Sequence, residues 1–389
     1  MESGIAESNT STRLNPIMYG VVDTQQACNC SIQSKDTFFE TEYFQSFSDS
    51  YRMFRYVLNI AILLPCSILG LAGNALSFVV FRKSGRTMTS TFLLLKTLAV
   101  ADSLILIYCL FFICVPNLTM IKSTPLLEKY MVFIAESIPY SYPVFFILLA
   151  LANWIVVLVG LERFIAICHP FRAKLLCTLS KTKKHIIAVF VLAIAFGLPR
   201  FWELKVLTVI DSRCHPSCGK VEKQLSVVFT DFGRDPVYVY AYRIVWHTLE
   251  IVVIPLIMVG YFNVHLLASL HKMDENGKRL FGQRASTRST NIMLVVVVLV
   301  FIVCQLPLCL THIINPFRPF FSVVAQDNFQ YALETAICLA LINHALNFWV
   351  YYVAGKRFRR VFMETLFPCC VVPEPRESNG IPLHATPTP

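Results

Sequence analysis

The stretch WIVVLVGLERFIAICHP, residues 154–170, joins an apolar run of membrane-spanning character to two opposite charges, Glu162 and Arg163. A charged side chain inside hydrocarbon costs about 2.5–3.5 kcal/mol on membrane-insertion scales, and charged residues that persist there usually have a function. The stretch therefore predicts a membrane helix with a functional polar site near its last turns.

The composition of the whole chain also indicates a membrane protein. Of its 389 residues, 56% are hydrophobic and only 15% are charged, and the mean hydropathy is +0.59. Soluble chains carry about 25% charged residues. The apolar residues fall into runs long enough to span a bilayer, for which about 20 residues suffice. We predict an all-α fold, a seven-transmembrane helix bundle, with spans at roughly 56–81, 90–115, 131–168, 185–202, 244–269, 291–314 and 331–353.

The basic residues predict how the chain is oriented in the membrane. They follow the first, third, fifth and seventh runs, as at Arg82, Lys174, Arg284 and Arg359, and the positive-inside rule places these ends in the cytoplasm. The net charge of +10 therefore reflects topology and indicates no nucleic-acid partner. We expect a multi-pass protein of the plasma membrane with its N-terminus outside. Its glycosylation sequons lie on that side, at Asn9, Asn29 and Asn117.

The chain divides into three predicted parts: an extracellular segment over 1–54, a seven-helix domain over 55–355 and a cytoplasmic part over 356–389. The cytoplasmic part begins with an amphipathic eighth helix along the inner membrane face and ends in a disordered tail. Cys369 and Cys370 directly follow that helix and are predicted palmitoylation sites, with two idle thiols as the alternative.

The loop after the fourth run, about 203–240, contains the β-prone segment 224–230. This composition favours two short strands that form a hairpin over the mouth of the bundle. Extracellular cysteines can form disulfides in their oxidising compartment, and spacing leaves the connectivity open. The candidates are Cys28, Cys30, Cys214 and Cys218.

Polar residues interrupt the apolar runs in a fixed set of motifs: GN in the first run, LAVAD in the second, E-R-F in the third, FIVCQLP in the sixth and NHALNFWVY in the seventh. With these motifs in this order across about residues 55–370, the chain resembles rhodopsin-like G-protein-coupled receptors. The resemblance implies a receptor that responds to an extracellular ligand and activates a heterotrimeric G protein from within the lipid membrane.

The resemblance also implies how such a receptor switches. Arg163 pairs with Glu162 while the bundle is closed and meets the G protein when the sixth helix, kinked at Pro307, swings out. Phe171 then fills an apolar pocket of the G protein. The residues assigned to activation are Glu162, Arg163, Phe164, Pro170, Phe171, Phe301, Pro307, Asn347 and Tyr351.

A small polar cavity in mid-membrane follows from the same resemblance. Its members are Asn74, Asp102, Asn343 and Asn347. A sodium ion at Asp102 is the metal that the family implies, and no other cofactor is expected. The alternative is that these polar groups hold helices together, at about 0.6 kcal/mol per hydrogen bond.

Several positions depart from the family pattern. Gln305 and Phe348 replace a tryptophan of the sixth helix and a proline of the seventh. The cysteine at the outer end of the third helix is absent near Glu136, which leaves the disulfide pattern open. No acidic residue stands at the inner end of the sixth helix, so a weak closed state with raised basal activity is inferred.

No single motif identifies the ligand, but two residues argue against two ligand classes. Phe145 stands where amine receptors carry an aspartate, and Leu341 stands near the Schiff-base lysine position of opsins. The charged and aromatic rim instead favours a peptide. The candidate ligand contacts are Glu136, Phe145, His247, Glu250, Gln305, His312, Tyr331 and Glu334.

The C-terminal half of the bundle, LALINHALNFWVYYVAGKRFRRVF, resembles invertebrate neuropeptide receptors of the FMRFamide and myosuppressin type. Their ligands end in Arg-Phe-amide, and Glu136, Glu250 and Glu334 are the acids that such an arginine would meet. A receptor for a small molecule or a lipid is the alternative within the family.

Other classes fit less well. A seven-helix transporter predicts internal repeats or broken helices, and a non-signalling binding receptor usually lacks the inner arginine. An enzyme of the seven-helix hydrolase kind needs clustered His and Asp ligands, whereas the histidines of the spans lie at different depths. We therefore expect no enzymatic activity.

Overall fold

The structure is a computed structural model that describes residues 49–83, 90–118, 124–210, 223–276, 283–315, 317 and 321–366. Several predicted sites lie outside these residues and stay predictions. They are the sequons at Asn9 and Asn29, the cysteines Cys28, Cys30, Cys214 and Cys218, and the palmitoylation candidates Cys369 and Cys370. The division into three parts also stays a prediction.

Seven helices long and apolar enough to cross a membrane confirm the predicted bundle. We number them α1 to α7: Ser50–Arg82, Ser90–Asn117, Pro125–Cys168, Leu179–Trp202, Tyr238–Ser269, Val295–Ile314 and Val324–Ala354. The helices extend beyond these apolar windows in places, with α5 continuing to Asn276, α6 starting at Gln283 and α7 at Val323. The hydrogen bonding is π-helical over Val57–Leu63, Cys109–Cys114, Tyr238–Trp246 and Leu249–Val253, and 3-10 over Leu198–Trp202.

Six of the seven helices begin before the predicted apolar runs, and threonine caps explain this at α3 and α4. The Thr124 side chain accepts a hydrogen bond from the Leu127 amide, and Pro125 takes the first position of α3. Thr178 caps α4 in the same way, by accepting from the Lys181 amide. Capping hydroxyls and an N-terminal proline start a helix whatever its polarity, whereas apolar runs mark only the part inside the membrane.

The core lies around α3. This helix contacts α2, α4 and α5 and is the most buried of the seven, whereas α4 is mostly exposed at the periphery. Large side chains from four helices fill the centre, among them Leu94, Leu98, Ile105, Ile155, Phe301 and Tyr351. Exposed apolar residues such as Phe111 and Val303 cover the outside, as a lipid-facing surface requires.

The predicted hairpin is confirmed. Strand β1 (Leu204–Ile210) pairs antiparallel with β2 (Lys223–Phe229), with Leu204 opposite Phe229 and Ile210 opposite Lys223. Its buried side chains pack on the N-terminal part of α3, where Ile134 and Ile138 lie. The hairpin marks one end of the bundle, which we call the hairpin end.

The predicted amphipathic helix is also confirmed and becomes α8, Lys356–Leu366. Phe358 anchors it, because its ring lies 5.4 Å from that of Phe81 and 5.7 Å from that of Tyr351. Phe362 adds a contact 5.7 Å from the ring of Phe348. We call this side of the bundle the α8 end.

Candidate functional sites

Glu162 near the α8 end is a buried carboxylate with three hydrogen bonds. It accepts from Thr182 Oγ1 at 2.7 Å, from Ser90 Oγ at 3.0 Å and from Thr91 Oγ1 at 3.1 Å. These hydroxyls belong to α4 and α2, and Glu162 belongs to α3. One carboxylate therefore ties three helices together, and charge-assisted bonds of this kind are stronger than neutral ones.

Arg163 does not pair directly with Glu162 in the part of the chain that the structure describes, which corrects the predicted ion pair. Its Nη2 donates to Thr91 Oγ1, and Thr91 in turn donates to Glu162. Consecutive residues of a helix point about 100° apart, so their side chains do not share a face. Thr91 thus links the two charges, and no motif in the sequence pointed to this residue.

The segment after Arg163 leaves α3 and exposes a large aromatic ring. Phe164 stacks on Phe262 of α5, with ring centroids 5.6 Å apart. Pro170 starts a short helix, Pro170–Leu176, and Phe171 beside it is 87% exposed. Cys177 ends this segment. Burial raises the pKa of its thiol and the Glu162 carboxylate raises it further, which keeps the thiol protonated.

The mid-membrane cavity contains a histidine that the sequence analysis did not assign to it. Asp102 is fully buried, with Oδ1 2.7 Å from His344 Nδ1 and Oδ2 accepting from Asn347 Nδ2 at 2.6 Å. Asn74 reaches the same place by donating to the His344 carbonyl oxygen at 3.1 Å. His344 precedes Asn347 by three positions, so both lie on one face of α7. This spacing in the sequence could have identified His344 as a second residue of α7 at the cavity.

The predicted sodium site at Asp102 stays a prediction. Each carboxylate oxygen of Asp102 already has a partner at 2.7 Å or less, and Asn343, although buried, is not one of them. A cation at Asp102 would share the carboxylate with His344 and Asn347.

Three further activation residues, Phe301, Pro307 and Tyr351, lie on α6 and α7. Phe301 and Tyr351 are each 1% exposed, and Pro307 lies inside α6. The Tyr351 ring contacts Phe81 at 5.6 Å between centroids. Its buried hydroxyl has no hydrogen-bond partner among the described residues. Tyr351 is therefore held by ring packing and not by polar contacts.

A buried ionic cluster at the hairpin end was missed by the sequence analysis. Glu203 is fully buried and accepts from Arg243 Nη1 at 3.1 Å, from Arg200 Nη1 at 3.3 Å and from the Tyr238 hydroxyl at 3.3 Å. Arg200 and Glu203 close α4, and Arg243 and Tyr238 begin α5. The spacing of Arg200 and Glu203 hinted at a pair, but the partners from α5 depend on packing.

The ligand candidates fall into separate places. His247 contacts Phe146 at 4.8 Å between ring centroids and His312 at 5.9 Å, and His312 Nδ1 lies 3.3 Å from Thr248 Oγ1. Gln305 is buried, with an Oε1 that has no partner among the described residues. Phe145 stacks on Tyr108, with centroids 4.2 Å apart.

A second group of candidates lies between α1 and α7. Glu334 accepts from the Tyr51 hydroxyl at 3.0 Å and pairs with Arg55 at 3.3 Å, and Tyr331 packs edge to face on Tyr51. Glu136 belongs to neither group and is exposed on α3. The candidates therefore do not form one continuous site.

Asn117, the one sequon asparagine that the structure describes, ends α2 with a buried side chain. Its Nδ2 donates to the Ile113 carbonyl oxygen at 2.6 Å. Glycosylation requires that nitrogen, so the predicted modification of Asn117 stays a prediction that would require this bond to open.

Comparison with known proteins gives a consistent result. The family model described as 7 transmembrane receptor (rhodopsin family) matches residues 73–351. An FMRFamide peptide receptor of Caenorhabditis elegans is 24% identical over 318 residues, which cover 79% of this chain and 70% of the relative.

Two further relatives resemble the chain to a similar degree. The FMRFamide receptor of Drosophila melanogaster is 27% identical over 302 residues, 77% of this chain but only 52% of the relative. The thyrotropin-releasing hormone receptor of Gallus gallus is 28% identical over 323 residues, 79% of this chain and 78% of the relative. The chain thus spans about half the length of the fly receptor.

Proposed function

Because the chain belongs to the rhodopsin family of seven-transmembrane receptors, we propose that it binds an extracellular peptide and activates a heterotrimeric G protein. It is a multi-pass membrane protein with seven spans, and its family consists of receptors without enzymatic activity. The plasma membrane is its proposed location, with the hairpin end outside and the α8 end in the cytoplasm, as the distribution of basic residues supports.

The observation that carries G-protein activation is the indirect link between Arg163 and Glu162. Among the described residues, Thr91 bridges the two charges by hydrogen bonds, so a shift of α2 against α3 by the length of one hydrogen bond breaks this link to the guanidinium. Phe171, fully outside the bundle and two positions after His169, supplies an apolar contact next to the freed charge. Both groups lie at the end of the bundle that a cytoplasmic partner would reach.

Support for a peptide ligand comes from the relatives and from the rim. Two relatives are named as receptors for FMRFamide peptides and a third for thyrotropin-releasing hormone. We propose that an amidated peptide binds at the hairpin end of this chain. A ligand shifts a receptor equilibrium only by its differential affinity for the two states, so the bound peptide must contact groups that move.

The test is a calcium and cyclic-AMP screen of cells expressing the full chain against a panel of amidated neuropeptides. We expect a response to at least one peptide and none from Arg163→Ala at equal surface expression. Lys129→Ala, which removes an exposed cation at the hairpin end of α3, is the matched control and should respond normally.

Two outcomes would contradict the proposal. A response that survives Arg163→Ala unchanged would remove Arg163 from the activation mechanism. Failure of every amidated peptide, together with activation by a lipid or a small molecule, would replace the proposed ligand class with the alternative within the family.

A further inference from the structure

An exposed group of cations lies where α4 begins, on the side of the α8 end. We call it the basic patch. It comprises two residues of the short helix Pro170–Leu176 and three of the first turns of α4, namely Arg172, Lys174, Lys181, Lys183 and Lys184. All five side chains are exposed, and two residues separate the two helices. The basic patch therefore concentrates positive charge on one side of the bundle.

These cations have no counter-charge within the described part of the chain. None of the five side chains forms an ion pair or a hydrogen bond with a residue that the structure describes. Arg359 of α8 differs, because it donates to the carbonyl oxygens of Tyr352 and Val353 at 3.1 and 2.7 Å. Lys181 and Lys184 lie three positions apart on one helix face, where like charges repel. An anion from outside the chain would relieve this repulsion.

Apolar side chains beside the cations indicate that this anion belongs to a lipid. Leu176 and Leu179 are 41% and 36% exposed, and Ile187 is 61% exposed one turn beyond Lys184. Of the seven helices, α4 is also the least buried. A soluble anion would leave these alkyl groups uncovered, whereas a phospholipid covers them with its acyl chains while its headgroup meets the cations. Clusters of about four to eight Lys or Arg at the cytoplasmic end of a span are typical of anionic-lipid binding.

The density of charge favours a headgroup with several phosphate charges. Three of the five cations, Lys181, Lys183 and Lys184, fall within four consecutive positions. A lipid with a single negative charge would leave most of them unpaired. The lysine ammonium is a compact point charge on a flexible stem, so several lysines can converge on one polyphosphate headgroup.

The bundle holds the basic patch in a defined place. Thr182, between Lys181 and Lys183, is 1% exposed and donates to Glu162 Oε1 at 2.7 Å. Cys177, in the link between the two helices, places its Sγ 3.9 Å from the Glu162 carbonyl oxygen. A headgroup bound to lysines on both sides of Thr182 would therefore hold α4 against α3.

We propose that the basic patch binds a phosphoinositide of the cytoplasmic membrane leaflet and that the bound lipid stabilises the contact between α4 and α3. The proposal rests on the proposed function only for the orientation of the chain, with the α8 end in the cytoplasm. The class of extracellular ligand and the activation of a G protein do not enter it.

The first experiment measures lipid binding directly. Purified full-length receptor in detergent is titrated with phosphatidylinositol bisphosphate, and bound lipids are counted by native mass spectrometry. The glutamine variant carries Lys181→Gln, Lys183→Gln and Lys184→Gln together and should bind the lipid about tenfold more weakly or less, since each lysine contributes to the attraction. The arginine variant, with Lys→Arg at the same three positions, should bind as the wild type does.

A matched control removes the same charge elsewhere. The control variant combines Arg82→Gln, Lys356→Gln and Arg360→Gln, three exposed cations of α1 and α8 at the same end of the bundle. Salt limits the reach of exposed charges, so the lipid affinity should stay within about twofold of the wild type.

The second experiment measures melting temperature in phosphatidylcholine nanodiscs with and without phosphatidylinositol bisphosphate. A lipid that binds only the folded receptor raises its melting temperature. We expect this rise in the wild type, the arginine variant and the control variant, and its loss in the glutamine variant. Phosphatidylserine at equal total charge should give a smaller rise in the wild type.

Several outcomes would overturn the proposal. Equal lipid binding by the wild type and the glutamine variant would exclude the basic patch as the site, and an equal loss in the control variant would reduce the effect to net charge. An equal rise with phosphatidylserine would exclude the preference for a phosphoinositide. Altered G-protein coupling of the glutamine variant without any effect of lipid would make the patch a protein contact. Neither experiment uses a peptide or a G protein, so failure of the proposed function would leave both results intact.

Discussion

Glu162 near the α8 end and Glu250 in the hairpin half are buried to the same extent, each with 9% of its surface exposed. Glu162 accepts hydrogen bonds from three hydroxyls, whereas Glu250 has no bonded partner within the described residues. A carboxylate with fixed donors stabilises the helices that carry them, whereas one without donors contributes no such bond and keeps part of the cost of its burial. Equal burial of two carboxylates thus goes with different roles in holding the helices together.

The largest expected effect comes from the carboxylate that holds the hairpin end together. Glu203→Gln leaves the buried Arg200 and the partly buried Arg243 without their anion, and breaking a buried ion pair costs about 3–5 kcal/mol. We expect a large fall in melting temperature of the detergent-solubilised receptor and in surface expression. If Glu203→Gln were as stable as the wild type, the Glu203 carboxylate would not hold the hairpin end together. The contrast between Glu203 and Glu250 would then be lost.

The same substitution at the α8 end should have an intermediate effect. Glu162→Gln keeps the shape but weakens the bonds from Ser90, Thr91 and Thr182, at about 1–3 kcal/mol in all. Because Thr91 also holds Arg163, signalling without ligand should rise when measured per receptor at the surface.

Thr182→Val is the control for this experiment. It removes one of the three hydroxyls on Glu162 and leaves the contact between Thr91 and Arg163 in place. Stability should fall with little change in basal signalling. A similar rise in basal signalling from both variants would mean that helix packing, and not the release of Arg163, sets the basal level.

A smaller effect is expected from sodium. His344 and Asn347 already contact the two oxygens of Asp102, so replacing sodium chloride by N-methyl-D-glucamine chloride at equal ionic strength should change ligand potency by less than about twofold. Allosteric ligands typically change affinity by about fivefold or more. His344→Ser removes the imidazole and should create sodium dependence. If ligand potency depended strongly on sodium in the wild type and not in His344→Ser, this prediction would be wrong.

The smallest effect on stability is expected at Glu250 itself. Glu250→Gln removes a buried charge that has no bonded partner among the described residues, so the melting temperature should stay level or rise. Glu203, Glu162 and Glu250 are thus compared through the same change to glutamine. A fall as large as that of Glu162→Gln would show that Glu250 has a structural partner after all.

Much of the architecture is readable from the sequence because membrane helices are encoded locally. About 20 apolar residues in a row predict a span wherever they occur, and all seven spans were found in this way. The hairpin and α8 were also predicted, from a β-prone run and from helical spacing of aromatic and basic residues. The starts of six helices were placed too late, and at α3 and α4 the reason is that Thr124 and Thr178 cap helices outside the membrane.

Individual candidate residues were also recognisable from the local sequence. Glu162, Arg163, Asp102 and Asn347 are polar residues in apolar runs, and the cost of burying them marks each one as a candidate without any knowledge of its neighbours. Their partners were not recognisable. Nothing near Glu162 in the chain points to Thr182.

Tertiary structure alone decided which groups meet. Thr91 lies 72 residues from Arg163, His344 lies 242 residues from Asp102, and Arg243 lies 40 residues from Glu203. The period of a helix determines which face a side chain occupies, but the rotation and depth of each helix against its neighbours come from packing of the whole core. The sequence by itself thus determined the spans and the costly polar residues. Packing decided that Glu162, Asp102 and Glu203 have partners within the described bundle and that Glu250 does not.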